Sequence, residues 1–251
     1  MRHAEIAIVG GGLAGSTAAV MLGRAGHNAV VIDPHAIYPD DFRCEKLDAS
    51  QIALLRMTGV AEAVHRAATI DKEVWIGRSG HIVEKRPSAQ WDILYGDLVN
   101  VIRAEIPPAV GVIHGKVTAV STGAEHQQVA LSNGEQICAR LVIMANGLNI
   151  GLRENLGIKR EVTSLCHSIS IGFWIKPAER GSFPFRALTY YTEDASSRVA
   201  YVTMFPIGSM MRANLFVYRD MHERKKAPQK PELSDFRATV KATDCWLSLP
   251  A

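Results

Sequence analysis

Ile6-Ala-Ile-Val-Gly-Gly-Gly-Leu-Ala-Gly15 is the stretch that decides the fold of this chain. Ile6 to Val9 read as a buried strand that runs into a glycine cluster. Gly10, Gly12 and Gly15 satisfy G-x-G-x-x-G, and each glycine has its own job. The first permits a tight turn, the second lets the backbone approach a pyrophosphate, and the third lets a helix pack closely on the strand. Leu13 and Ala14 open that helix, whose unpaired amides and positive dipole end face the phosphates. Ala18, Ala19 and Leu22 fall on the same helix face as Gly15.

The continuation strengthens the reading. Gly26 closes the helix, Ala29-Val-Val-Ile32 reads as a second buried strand, and Asp33 stands at its end. Asp33 lies 18 residues past Gly15. That is close to the ~20 expected for an acid that accepts ribose hydroxyls in a βαβ dinucleotide site. The uncharged span from Ile6 to Gly23 also invites comparison with a secretory signal. Its five glycines and the acid-ended strand behind it argue against that.

With 251 residues, the chain has room for one or two domains and a substantial core. Hydrophobic content of 47% and charged content of 21% are those of an ordinary globular protein. A net charge of +3, without a block of like charges, disfavours nucleic acid or an anionic membrane as partner. Cys44, Cys138, Cys166 and Cys245 form neither C-x-x-C nor a metal-ligand spacing, so reduced thiols, a cytoplasmic location and no metal site are expected. No apolar run reaches the length of a membrane span.

Beyond Asp33, a helix is predicted through Ile52, Leu55 and Met57 to Gly59, and another from Tyr95 to Glu105, halted by Pro107-Pro108. Val74–Ile76 and His81–Lys85 read as short strands. A run of short strands follows, with an Asn-Gly turn at Asn133-Gly134. Leu141 to Ala145 then returns the chain to the parallel sheet and ends in Asn146-Gly147, at the strand ends where ligands gather. Arg43 has two readings of equal weight: a surface partner of Asp41 or Glu45, or a guanidinium over a pyrophosphate. From Leu165 the period becomes two, with an apolar face at Leu165, His167, Ile169, Ile171, Phe173 and Ile175. Leu188–Thr192, Val199–Phe205 and Met211–Tyr218 are predicted to continue it as antiparallel strands. A loop around Pro228 and Pro231 and a short helix from Phe236 to Lys241 are expected beyond them.

Together these features resemble the FAD-dependent oxidoreductases of the para-hydroxybenzoate hydroxylase fold. That group includes flavoprotein monooxygenases, flavin halogenases and geranylgeranyl reductases. Gly10 to Gly15 with Asp33 match the family's site for the ADP half of FAD. Arg43 matches an arginine that contacts the cofactor, and Val117 a position whose backbone reads the adenine. Ala145-Asn-Gly-Leu-Asn-Ile-Gly-Leu-Arg153 is similar to the second fingerprint, A-D-G-x-x-S-x-x-R, with Asn146 in place of the aspartate. Gly96 lies where many relatives carry an arginine, and the third fingerprint, a late Gly-Asp, has no counterpart before Ala251.

The resemblance implies an α/β fold: a Rossmann-like FAD-binding domain with a parallel sheet and a β-meander, plus a second layer with an antiparallel substrate-domain sheet. Residues 1–70 and 100–160 are expected in the first, without its C-terminal part, residues 71–99 and 161–235 in the second, and 236–251 in an atypical tail. It further implies FAD, NADH or NADPH as reductant, and hydroxylation of a small aromatic or other electron-rich substrate through a flavin peroxide. No catalytic residue is assigned. His167, Ser168, Ser170, Tyr201, Thr203 and Asn214 are candidates to line the substrate pocket, with a purely structural role as the alternative for each. Tyr201-Val-Thr-Met-Phe-Pro206 is similar to the Y-x-W-x-F-P of geranylgeranyl reductases, with Thr203 replacing tryptophan, so reduction of isoprenoid double bonds stays open. A truncated chain that binds FAD weakly and does not turn over is the third alternative.

Overall fold

The computed structural model describes residues 2–163, 166–177, 182–192 and 198–220, with backbone only at 166–167 and 219–220. The expected loop around Pro228 and Pro231, the helix from Phe236 to Lys241 and the tail 236–251 lie outside the described residues.

In chain order the elements begin with β1 (Arg2–Val9), α1 (Leu13–Arg24), β2 (Ala29–Asp33), the two-residue β3 (Lys46–Leu47), α2 (Ala49–Met57) and α3 (Ala61–Ala67). The antiparallel pair β4 (Thr69–Arg78) and β5 (His81–Asp92) precedes α4 (Tyr95–Ala104). Strands β6 (Gly111–His114), β7 (Val117–Ser121), β8 (Gln127–Leu131) and β9 (Gln136–Met144) lead to α5 (Gly151–Asn155). Then come β10 (Cys166–Ile175), β11 (Leu188–Tyr191), β12 (Val199–Ile207) and β13 (Met210–Asp220).

The chain divides into two compact units, the first made of residues 2–68 and 93–161, the second of 69–92 and the described residues from 162 onward. The first unit holds a six-stranded sheet ordered β6-β2-β1-β9-β8-β7. β1 runs parallel to both β2 and β9, and β6 parallel to β2, while β7, β8 and β9 form an antiparallel meander. Both faces of β1 are covered, which explains its unbroken apolar run. Ile6 and Ile8 pack with Ala19, Ala29, Val31 and Val110 on one side. Ala7 and Val9 pack with Val30, Ile32, Ile113 and Val129 on the other. The meander turns at Asn133-Gly134, where Gly134 has φ +86°.

Ala18 and Leu22 lean on the same cluster as the buried Ala19, as their spacing predicts. Gly26, at φ +82°, ends α1 in a left-handed conformation, its amide donating to the Gly23 carbonyl. α2 starts on a capping box in which the Asp48 carboxylate accepts from the Ser50 and Gln51 amides. α3 has no counterpart in the sequence reading. Its seven residues are too few to display a helical period, yet Val60, Ala61, Ala63 and Val64 are buried. α4 packs on α1 and α3 and buries Leu98, Val99 and Ile102, and residues 93–99 group with the first unit.

The sheet of the second unit runs β10-β13-β12-β11-β4-β5. It is mixed rather than wholly antiparallel. β11 pairs antiparallel with β12 but parallel with β4, in the register Leu188↔Trp75 to Tyr191↔Arg78. Period-two alternation is identical for either strand direction, so the pattern carried no information on this point. β4 and β5 extend well past the short strands predicted, through two register irregularities and past Pro87. One buried cluster of this sheet is Leu188, Val202, Met204, Met211, Ala213 and Leu215, and another holds Val74, Ile76, Ala187 and Phe205. Ile169 and Ile171, read as part of an apolar face, remain 41% and 37% exposed on β10, an outer strand among the described residues. No described helix is long and apolar enough to cross a membrane.

Candidate functional site

β1, β2 and β9 are parallel neighbours, so their carboxyl ends stop on one edge, at Gly10, Asp33 and Ala145. The Gly10 amide donates to the Ile32 carbonyl at 2.9 Å, and the Ala145 amide to the Val9 carbonyl at 2.8 Å. Gly10 has φ +102°, and a Cβ there would lie 2.5 Å from the Ala145 carbonyl oxygen. A Cβ on Gly15 would lie 1.8 Å from the Gly10 carbonyl oxygen. These two glycines are required by the fold.

Gly12 is different. Its φ is −73°, and an added Cβ would meet only the Tyr38 ring, at 3.8 Å. Packing does not require a glycine here, and the space beside its backbone is open. Gly12 is also the N-cap of α1 and contributes no side-chain cap, and the first turn contains no acid. The amides of Leu13, Ala14 and Gly15 therefore have no partner within the helix, at its positive end.

Asp33 faces this turn. Its Oδ2 accepts from the Gly11 amide at 2.8 Å and its Oδ1 from the His35 amide at 2.9 Å. Burial pushes the Asp33 carboxyl up, but the His35 and Gly11 amides and the Arg103 guanidinium outweigh it and hold the group below its ordinary value. Arg103 is absent from the sequence reading. A lone arginine in the last turn of an amphipathic helix looks like a solvated complement to the helix dipole, so no sequence signal marked it.

Arg43 pairs with Asp41, which also accepts from the Tyr38 hydroxyl at 3.3 Å, and its guanidinium lies 5.5 Å from the centre of the Tyr95 ring. Its partner is the Asp41 of the surface reading, and about a third of its side chain is exposed. Val117 opens β7, two residues beyond Gly115, whose amide donates to the Asp33 carbonyl at 3.0 Å. β6, the parallel neighbour of β2, thus leaves Val117 two residues from a contact with the end of β2. Asn146 donates through Nδ2 to the Asn149 carbonyl, and Gly147 takes φ +58°. The Asn146 backbone packs on the glycine turn, its Cα 3.1 Å from the Cβ that Gly10 lacks. Gly96 opens α4 against the Pro39 carbonyl oxygen, which a Cβ would approach to 3.1 Å.

The sequence profile of the FAD binding domain family matches residues 3–250. This chain belongs to that family. It is 30% identical over 171 residues to the 3-demethoxyubiquinol 3-hydroxylase of Escherichia coli K12, a match covering 61% of this chain and 44% of the relative. It is 22% identical over 216 residues to the 6-hydroxynicotinate 3-monooxygenase of Bordetella bronchiseptica, covering 79% and 55%. The chain spans about half the length of the curated relatives it matches. Among solved structures, aklavinone-11 hydroxylase with FAD and aklavinone shares the fold at a TM-score of 0.74 and 20% identity, covering 100% of this chain and 51% of that one. PqsL of Pseudomonas aeruginosa with 2-aminobenzoylacetate shares it at 0.70 and 20%, covering 96% and 67%.

The residues of this FAD-binding chain suit the dinucleotide. The uncapped amides of α1 and the space at Gly12 match a pyrophosphate. The Asp33 Oδ2, which accepts only the Gly11 amide among the hydrogen bonds described, retains capacity for a hydroxyl donor.

On the sheet of the second unit, Ser168, Ser170, Tyr201, Thr203 and Asn214 share one face, and strand alternation puts His167 on the other. Thr203 lies opposite Asn214, and Phe216 lies between Tyr201 and Ser170. The Tyr201 ring stacks on Phe216 at 4.3 Å and meets Tyr191 at 5.8 Å. Burial, then the neighbouring Tyr191 and Tyr218, push the Tyr201 hydroxyl up. Thr203 and Asn214 are buried, and neither the Thr203 Oγ1 nor the Asn214 Oδ1 has a hydrogen-bond partner among the described residues. Ser168 is exposed at the β10 end of the same face, and the His167 side chain lies outside the described residues.

Proposed function

We propose that this chain serves an FAD-dependent monooxygenase that hydroxylates a small aromatic or other electron-rich molecule, with NADH or NADPH as reductant. What supports the reading is the family match combined with the hydroxylase and monooxygenase names of its relatives. In this reading FAD, when bound, accepts hydride from the nicotinamide and activates oxygen. The protein's part is to bind, orient and exclude water.

Gly10, Gly12, Leu13, Ala14 and Gly15 hold the pyrophosphate by turn geometry and amide donors, and Asp33 accepts the adenosine ribose. Arg43 adds charge near the phosphates once it leaves Asp41; Val117, Asn146 and Gly147 contribute backbone contacts. Thr203 and Asn214 present buried polar atoms without a hydrogen-bond partner among the described residues on the second sheet. A buried hydroxyl and amide of this kind gain from a polar ligand group, and Tyr201 and Phe216 beside them offer an aromatic surface.

The test is an isotope experiment on the FAD-loaded protein. With a panel of phenolic acids and NADH or NADPH, a stimulated oxidation that transfers one atom of labelled molecular oxygen to the product is expected. Saturation of an isoprenoid double bond without oxygen would replace this reading with the reductase one.

A further inference from the structure

Beyond the glycine motif and its acid, one side chain draws the nucleotide edge together. Arg103 projects from the last turn of α4, yet only 13% of its side chain is exposed. Its Nε donates to the Gly11 carbonyl at 2.7 Å and its Nη1 to the His35 carbonyl at 2.7 Å. Its Nη2 stands 2.9 Å from the Asp33 Oδ1, as a close ion pair rather than an aligned hydrogen bond. The guanidinium also lies 5.4 Å from the centre of the Tyr38 ring. One planar group thus links the glycine turn, the end of β2 and the loop beyond it. Lysine, a point charge with no planar fork, cannot make the same set of contacts.

Three facts separate this from an ordinary surface pair. Removing an arginine from water is costly unless its donors are engaged, and the Arg103 donors converge on three backbone carbonyls, of Gly11, His35 and Ala36, and a carboxylate. Gly11 carries no role in G-x-G-x-x-G, yet a Cβ there would lie 2.8 Å from the Arg103 Nη2 and 3.0 Å from the Asp33 Cβ. The space that Gly11 leaves is the space this pair uses. Finally, the contacts divide the Asp33 carboxylate: Oδ1 faces the His35 amide and Arg103, while Oδ2 receives the Gly11 amide.

We propose that Arg103 is a positioning residue for FAD: by holding Oδ1 of Asp33 and the Gly11 carbonyl, it orients Oδ2 toward the ribose hydroxyls. This rests on the reading of Asp33 as the ribose acid. It makes the FAD affinity of this chain depend on a helix outside the βαβ unit.

The experiment is a double-mutant cycle on the full chain, read by titration with FAD and, separately, with ADP. Arg103→Met should weaken both by about ten- to hundredfold, because the carboxylate loses its orientation. With Asp33→Asn already in place, the same substitution should cost less than about threefold, since little orientation is left to lose. Arg103→Lys, which keeps the charge and guards against a variant that fails to fold, should lie between wild type and Arg103→Met. If Arg103→Met or Arg103→Lys binds both ligands like wild type while Asp33→Asn binds them weakly, the positioning role is overturned and the ribose assignment stands. Additive losses would overturn it equally, since Arg103 would then act elsewhere. Wild-type affinity in Asp33→Asn would overturn the ribose assignment itself.

Discussion

At Gly12 the demands of folding and of binding separate, which makes it the most informative residue to change. Gly12→Ala adds a methyl group 3.8 Å from the Tyr38 ring, in a backbone conformation that alanine accepts. The expected result is an unchanged melting temperature together with a loss of FAD affinity of tenfold or more, about 1.4 kcal/mol, by fluorescence titration. Gly15→Ala should behave oppositely. Its methyl would stand 1.8 Å from the Gly10 carbonyl oxygen, so the turn and α1 must move apart and the variant should melt early or not fold. Asp33→Asn removes charge with little change of volume. It should weaken FAD by about 1.5–3 kcal/mol, the range for a hydrogen bond to a charged group, measured as a Kd shift. The motif exposed Gly12, Gly15 and Asp33 to a sequence reading because their spacing is local. Arg103 meets Asp33 across seventy positions, and spacing says nothing at that range.

At the scale of elements, α4 carries the most weight. It packs on α1 and α3, buries Leu98, Val99 and Ile102 essentially without exposure, and its last turn delivers Arg103 to the glycine turn. Leu98→Ala should cost about 2–5 kcal/mol in denaturant unfolding, by lost transfer energy plus the cavity left behind. Its amphipathic pattern located α4 to within one residue of its end. The same periodicity could not find α3, which has only two turns, nor tell that β11 runs parallel to β4. Helix period reports a buried face once three or four turns sample it. Strand period reports two faces but no direction.

At the scale of the molecule, a partly buried carboxyl and a fully buried one give the units opposite responses to pH. Asp33 is held below its ordinary value, so its contribution to the first unit is present at neutral pH and lost as pH falls through the depressed value. Asp71, in the second unit, is fully buried. Burial pushes its carboxyl up, against the lowering by a hydrogen bond with Asp92 and by Arg186, 3.2 Å away. A raised carboxyl stabilises fully below its ordinary value of 3.8 and progressively less as pH rises through the shifted one. Asp71→Asn should therefore unfold at higher urea than wild type at pH 8, with the difference vanishing toward pH 4. A constant difference across that range would show that Asp71 ionises freely in the folded protein.

The glycine turn, the flanking strands, the terminal acid and the two-layer α/β class follow from neighbours along the chain, because local sterics and a two-faced burial pattern govern them. Family membership follows from the same segments. The direction of β11, the extent of β4 and β5, and the convergence of α4 on the nucleotide edge belong to long-range pairing. Nothing in a linear pattern encodes which strand lies beside another or which distant helix turns its arginine toward a partly buried carboxylate. Those outcomes are set by how the layers fill space, and the proposed cofactor site takes its final geometry from them.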